Sequence, residues 1–249
     1  MPVSTERRGP ITILTLEREE KRNAIDPEMT ASLDVALNQF EDDPEQWVAV
    51  ITGGPNMFSA GSDLGAGSGD PTPRGGEYGI IRRTRRKPLV AAAEGLALGG
   101  GLEILFCCDI IVAADNIRLG LPEVKRGVLP TSGGLFRALR SLPVHIAKEV
   151  VLTGEELAPE LALQFGLVNR LVPAGAALGE AIAIAETLAG NSPTAVHQSL
   201  QAMNRILATG DEAGWEATAE AKDAVWASED RKEGIKAFFE KRMPQWKGR

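Results

Sequence analysis

Three short runs in this chain are apolar at nearly every position: Trp47 to Thr52, Leu89 to Ala93 and Asp109 to Ala114. Runs of that length, rich in Val, Ile and Ala, have the character of buried strands. The first is stopped by Gly53-Gly54-Pro55, and between the second and third, Gly100 to Cys108 has the leucine content of a buried helix. A fourth strand is expected over Ile11 to Glu17, where β-branched residues partly alternate. Strands alternating with helices imply an α/β architecture with a mainly parallel sheet.

Helix starts are equally legible. Asp26-Pro27 has the form of an N-cap followed by proline at the first helical position, with Met29, Leu33, Leu37 and Phe40 at helical spacing behind it. Ser192-Pro193 repeats the signal ahead of Val196, Leu200, Met203 and Leu207. Ala176 to Ala189 is alanine-rich, and Ser228-Glu229-Asp230 opens a last helix with acids at its positive end. The chain after residue 175 is therefore expected to be helical without strands. The glycine-rich segment 65–76, with Pro71 and Pro73, is expected to be a mobile loop.

The 249 residues carry a net charge of −7, which disfavours nonspecific binding to nucleic acid or to an anionic membrane. No apolar run approaches the ~18 residues of a membrane span, and the first residues lack a signal-peptide core. Cys107 and Cys108 are adjacent in an apolar setting and cannot staple distant parts of the chain. A reduced, cytoplasmic protein is expected. His145 and His197 have no companion cysteines, so no metal site is expected.

The candidate chemistry lies in three segments. Phe58-Ser59-Ala60-Gly61-Ser62-Asp63-Leu64 comes first, Ala97-Leu98-Gly99-Gly100-Gly101-Leu102-Glu103 second and Leu119-Gly120-Leu121-Pro122-Glu123 third. Glycine-rich backbone can approach a ligand closely and present N–H groups to a developing negative charge. Two nearby carboxyl groups can divide acid and base roles. Glu103 stands in an apolar helix where an unpartnered carboxylate is costly; a surface stripe is the alternative. For Glu123 the alternative is an ordinary acid at a helix start, and for the glycines a tight turn. Neither a G-x-G-x-x-G fingerprint nor a G-K-[ST] phosphate loop occurs.

These segments, in this order, resemble the crotonase (enoyl-CoA hydratase/isomerase) superfamily. Asn23-Ala24, Ile51-Thr52-Gly53, Pro130-Thr131-Ser132-Gly133-Gly134, Leu152-Thr153-Gly154 and the stretch from Ala237 to Arg242 extend the match nearly end to end. Leu-Pro-Glu followed by Ser-Gly-Gly is closer to the carnitinyl-CoA dehydratase branch. The resemblance implies a spiral of ββα units over residues 1–190 and a helical trimerisation region over 191–249, giving a homotrimer or homohexamer.

It also implies an oxyanion hole from the N–H groups of Ala60 and Gly100, gripping the thioester oxygen of an acyl-CoA. Glu103 and Glu123 then handle water and protons in a hydratase or dehydratase. An isomerase, or a noncatalytic CoA- or RNA-binding scaffold, is the alternative. Coenzyme A is part of the substrate, and no separate cofactor is implied. Lys21, Arg22 and Ala24 fall near the nucleotide, Gly61, Ser62, Asp63 and Leu64 along the pantetheine, and Phe238 and Lys241 come from a neighbouring subunit. Lys21 and Arg22 read equally as surface charges. The basic run Arg82 to Lys87 reads as a solvated helix end or a partner for CoA phosphates.

Overall fold

The computed structural model describes residues 1–248. Its strands are β1 (Val3–Arg8), β2 (Ile11–Leu16), β3 (Val48–Thr52), β4 (Leu89–Ala93), β5 (Leu96–Leu98), β6 (Ile110–Ala114), β7 (Arg118–Gly120), β8 (Glu156–Leu157) and β9 (Arg170–Val172). Its α-helices are α1 (Pro27–Asp42), α2 (Gly100–Leu105), α3 (Gly134–Ser141), α4 (Val144–Thr153), α5 (Pro159–Gln164), α6 (Ala177–Ala189), α7 (Pro193–Leu207), α8 (Asp211–Ala227) and α9 (Glu229–Phe239).

Two sheets result, ordered β1-β2-β3-β4-β6-β9 and β5-β7-β8. From β2 onward the larger sheet is parallel, and β1 pairs antiparallel at its edge. The chain lays a strand in the large sheet and then a short one in the small sheet, as β4-β5 and β6-β7, before turning into helix. The bridge Ser59↔Ala97 and the bridge Ile25↔Ser62 attach the segment after β3 in the same manner. The candidate segments are thereby fixed at the small-sheet end of each turn.

Alternation along each strand divides the core. Leu14, Ala49, Ile51, Leu89 and Ala91 face Met29, Leu33, Leu37 and Phe40 of α1. Ile13, Val50, Val90, Ala92 and Val112 face Ala177, Ala181 and Ala185 of α6, whose small side chains let the helix lie close to the sheet. The expected caps form: Asp26 accepts the Met29 N–H at 2.8 Å, and Ser192 and Ser228 cap α7 and α9.

Several expectations are corrected. The helix over 100–108 ends at Leu105. The small sheet lies outside the sequence expectation because two- and three-residue strands carry no periodicity, and β1 because it is an edge strand that is polar after Val3. Segment 65–76 is not free: the Thr30 hydroxyl donates to the Ser68 carbonyl, Thr72 to Asp34, and Arg74 pairs with Asp42. The basic run is neither a solvated helix end nor open to a phosphate partner along most of its length. Arg83 pairs with Asp34, Arg85 forms a buried bidentate pair with Asp109, and Lys87 caps the end of α1 through the Phe40 and Asp43 carbonyls. Burial of cations at these points is tolerated because each meets a carboxylate or helix-end carbonyls.

Candidate active site

The site forms where three backbone turns meet. Asn23, fully buried, sets the first: its side chain accepts the Arg18 N–H at 2.8 Å and donates to the Gly53 carbonyl at 2.8 Å. Its carbonyl accepts the Ser59 hydroxyl at 2.8 Å, and the Ser59 oxygen in turn accepts the Gly61 N–H. Gly61 can then press against Gly100. A side chain on Gly61, at φ +85°, would begin 2.7 Å from the Gly100 nitrogen. One on Gly101 would begin 2.3 Å from the Ser59 carbonyl oxygen.

This packing corrects one expected donor. The Ala60 N–H donates to the Arg22 carbonyl at 2.9 Å, so it is already engaged. Among the described residues, no hydrogen bond engages the N–H of Ser62 or of Gly100. The chain is extended at the Ile25↔Ser62 bridge, with the amides on either side of Ser62 differently directed: Asp63 donates to Ile25, whereas Ser62 does not. The unengaged pair is Ser62 and Gly100, so the first donor lies two residues beyond the expected Ala60.

Glu103 stands in the first turn of α2 and is 1% exposed. One carboxylate oxygen, Oε1, accepts the Ser132 N–H at 2.7 Å and the Gly134 N–H at 2.9 Å. The segment 130–134 thus holds one side of the carboxyl and leaves Oε2 available. Burial pushes this carboxyl up, and the two N–H donors and the Arg137 guanidinium oppose it.

Glu123 lies in the turn Pro122–Arg126, which Gly127 closes at φ +65°. The residue keeps an exposed edge, but its Oε2 is buried without a hydrogen-bond partner among the described residues. A side chain on Gly99 would begin 3.1 Å from the Glu123 Oε1, so glycine at 99 is what lets the carboxyl reach the turn. Burial raises its pKa, and the Glu103 charge adds to that. Two carboxyls that repel in a dry site hold protons near neutrality, the condition for acid and base work.

Of the remaining expected residues, Ser62 and Gly61 enter the site. Asp63 serves the scaffold through its side chain: it binds Arg18 at 2.8 Å and accepts the Gly65 and Ala66 N–H groups. The Arg18 pairing, the first of these, holds its carboxyl below the usual range. Ala24 offers its carbonyl to Arg18, Lys21 and Arg22 are exposed on the turn beside it, and Leu64 is exposed. Phe238 and Lys241 stand at the end of α9, which packs on the Glu123 turn of its own chain, with the Arg126 guanidinium 5.1 Å from the Phe238 ring centre.

One residue had no sequence argument behind it. Tyr78 is buried with its hydroxyl 2.8 Å from the Ser62 hydroxyl. A lone tyrosine among Gly75, Gly76 and Gly79 was the available signal.

A family model described as enoyl-CoA hydratase/isomerase matches residues 6–249. A carnitinyl-CoA dehydratase from Salmonella typhi is 39% identical over 254 residues, covering 98% of this chain and 97% of the relative. The crystal structure of a carnitinyl-CoA hydratase from Mycobacterium avium is 38% identical with a TM-score of 0.92, covering 100% of this chain and 99% of that one. An enoyl-CoA hydratase structure from Mycobacterium tuberculosis is also 38% identical, with a TM-score of 0.80 over 100% of this chain and 99% of that one.

Proposed function

The chain belongs to the enoyl-CoA hydratase/isomerase family, and we propose that it adds or removes water across the 2,3 bond of an enoyl-CoA thioester with Glu103 and Glu123 as the acid–base pair. The carrying observation is the pair itself. Glu103 is anchored through one oxygen only, and Glu123 presents a buried oxygen with no partner. Two such oxygens can hold one water molecule between them.

In the hydration direction the thioester oxygen accepts the Ser62 and Gly100 N–H groups. Polarisation makes Cβ electrophilic, and the same donors stabilise the enolate that water attack produces. One carboxylate removes the proton from the attacking water, and the other carboxyl delivers a proton to Cα. Dehydration runs the same steps backward. These roles are assigned to the pair as a unit, whose coupled titration gives pKa values that belong to both carboxyls.

Support for the acyl-CoA class comes from the family, and support for hydration from the presence of both carboxyls. The helical C-terminal region is proposed to form a trimer or a dimer of trimers; α7 leaves Met203, Ile206 and Leu207 exposed. No helix among the described residues is long and apolar enough to cross a membrane. The test is the absorbance of a conjugated 2-enoyl-CoA. Wild type is expected to bleach the conjugated band, and Glu103→Gln and Glu123→Gln each to slow this by about 10²–10⁴-fold. Retained activity in either variant would remove that residue from the pair.

A further inference from the structure

Tyr78 is the only tyrosine in the chain. It adopts φ +56° and ψ 8°, a left-handed conformation that is uncommon for a bulky side chain and is often held at functional sites. The glycines around it make the turn possible. A side chain on Gly75 would begin 1.9 Å from the Gly79 carbonyl oxygen, and one on Gly79 2.6 Å from the Thr30 carbonyl oxygen. This tightly folded turn directs the phenol inward, where only 5% of the residue is exposed.

The phenol oxygen touches both residues whose amides are unengaged. It lies 2.8 Å from the Ser62 hydroxyl, and a side chain on Gly100 would begin 2.6 Å from it. Ser132, whose side chain neighbours the phenol, supplies one of the N–H donors that anchor Glu103. A residue needed only for packing would leave no reason for a hydroxyl at this junction, since phenylalanine fills the same ring volume.

We propose that the Tyr78 hydroxyl is a third donor to the thioester oxygen, joining the Ser62 and Gly100 amides as that oxygen takes on charge. The proposal rests on the acyl-thioester reading above. No proton is transferred: the O–H stays intact and its hydrogen bond shortens as electron density moves onto the oxygen of the enolate. Burial and the neighbouring glutamates raise the phenol's pKa, so it remains a neutral donor throughout. The 2.8 Å contact allows the Ser62 hydroxyl to donate to the phenol oxygen, which leaves the phenol hydrogen to point at the substrate with no movement of the ring.

The experiment uses a 3-aryl-2-propenoyl-CoA with an electron-donating ring, whose absorption moves to longer wavelength when its thioester oxygen accepts hydrogen bonds. Wild type is expected to shift the bound probe. Tyr78→Phe is expected to reduce the shift and to lower kcat by about 10²-fold with KM changed by less than about threefold, at a similar melting temperature. A full shift with unchanged kcat in Tyr78→Phe would overturn the proposal and leave the acyl-thioester reading standing. Absence of any shift with saturated wild type would overturn both. Should Tyr78→Phe fail to fold, Ser62→Ala keeps the amide and removes the hydroxyl that orients the phenol. A smaller shift there supports the proposal, and an unaltered one overturns it.

Discussion

Gly234 of α9 meets Gly127, which closes the Glu123 turn, with no room for a side chain on either. A carbon added to Gly234 would lie 2.9 Å from the Gly127 nitrogen and 2.3 Å from the Arg126 carbonyl oxygen. One added to Gly127 would lie 2.5 Å from the Asp230 carbonyl oxygen. The atoms in the way are backbone, so they yield only if the helix or the turn moves. Gly234→Ala is therefore expected to destabilise the chain by about 1–3 kcal/mol and to lower kcat by displacing Glu123. Thermal melting and the hydration assay check both; an unchanged melting temperature and rate would mean that α9 does not fix the turn.

Asn23 makes a second prediction, about stability first. Its amide is fully buried, bonded to the Arg18 N–H and the Gly53 carbonyl. Removing it leaves those backbone groups buried without partners, at about 1–3 kcal/mol for each unsatisfied group. Asn23→Ala is expected to lower the denaturant midpoint accordingly. Because the Asn23 backbone carbonyl that accepts the Ser59 hydroxyl sits on the turn this side chain fixes, the 59–62 segment is expected to loosen with the turn, and kcat to fall more than tenfold.

Gly61 separates site geometry from global stability. At φ +85° and against the Gly100 nitrogen, it admits no side chain without parting the two donor segments. Gly61→Ala is expected to cost at least as much rate as the loss of one oxyanion donor, about 10²–10³-fold. Calorimetric binding of a saturated acyl-CoA, which needs no enolate stabilisation, should weaken far less than kcat. Equal losses in binding and rate would indicate a general collapse of the pocket.

The residues that organise the site differ in how visible they were. The long parallel strands announce themselves because both faces are apolar, and α1, α7 and α9 because each starts with a capping Asp or Ser. The two glutamates stand out because acids in apolar or glycine-bounded surroundings need an explanation. Which amide of the Ala60-Gly61-Ser62 segment is unengaged has no local signal: the sequence points to Ala60, and the Arg22 carbonyl that engages it is far away in sequence. Tyr78 was hidden for a similar reason, since its importance comes from contacts with Ser62 and Gly100 on other turns. The basic run misled because charge alone does not show that Asp34 and Asp109 wait opposite Arg83 and Arg85.

The pH dependence of stability follows from Glu103. Burial, the dominant influence, raises its carboxyl above the ordinary glutamate value of 4.5. Above about pH 4.5 the unfolded chain has released this proton while the folded chain still holds it, so the folded state binds more protons and stability falls as pH rises. The loss is complete once pH exceeds the raised folded value, and each tenfold difference in proton affinity is worth about 1.4 kcal/mol. Glutamine cannot ionise, and its carbonyl can still accept the Ser132 and Gly134 N–H groups. Unfolding free energies of wild type and Glu103→Gln, measured from about pH 5 to about pH 8, should therefore diverge in favour of the variant as pH rises. Groups that do not feel the Glu103 charge cancel in that difference, and Glu123, whose pKa that charge raises, adds to the divergence in the same direction. Parallel curves would mean that Glu103 ionises as freely folded as unfolded, and that the 130–134 backbone compensates its burial in full.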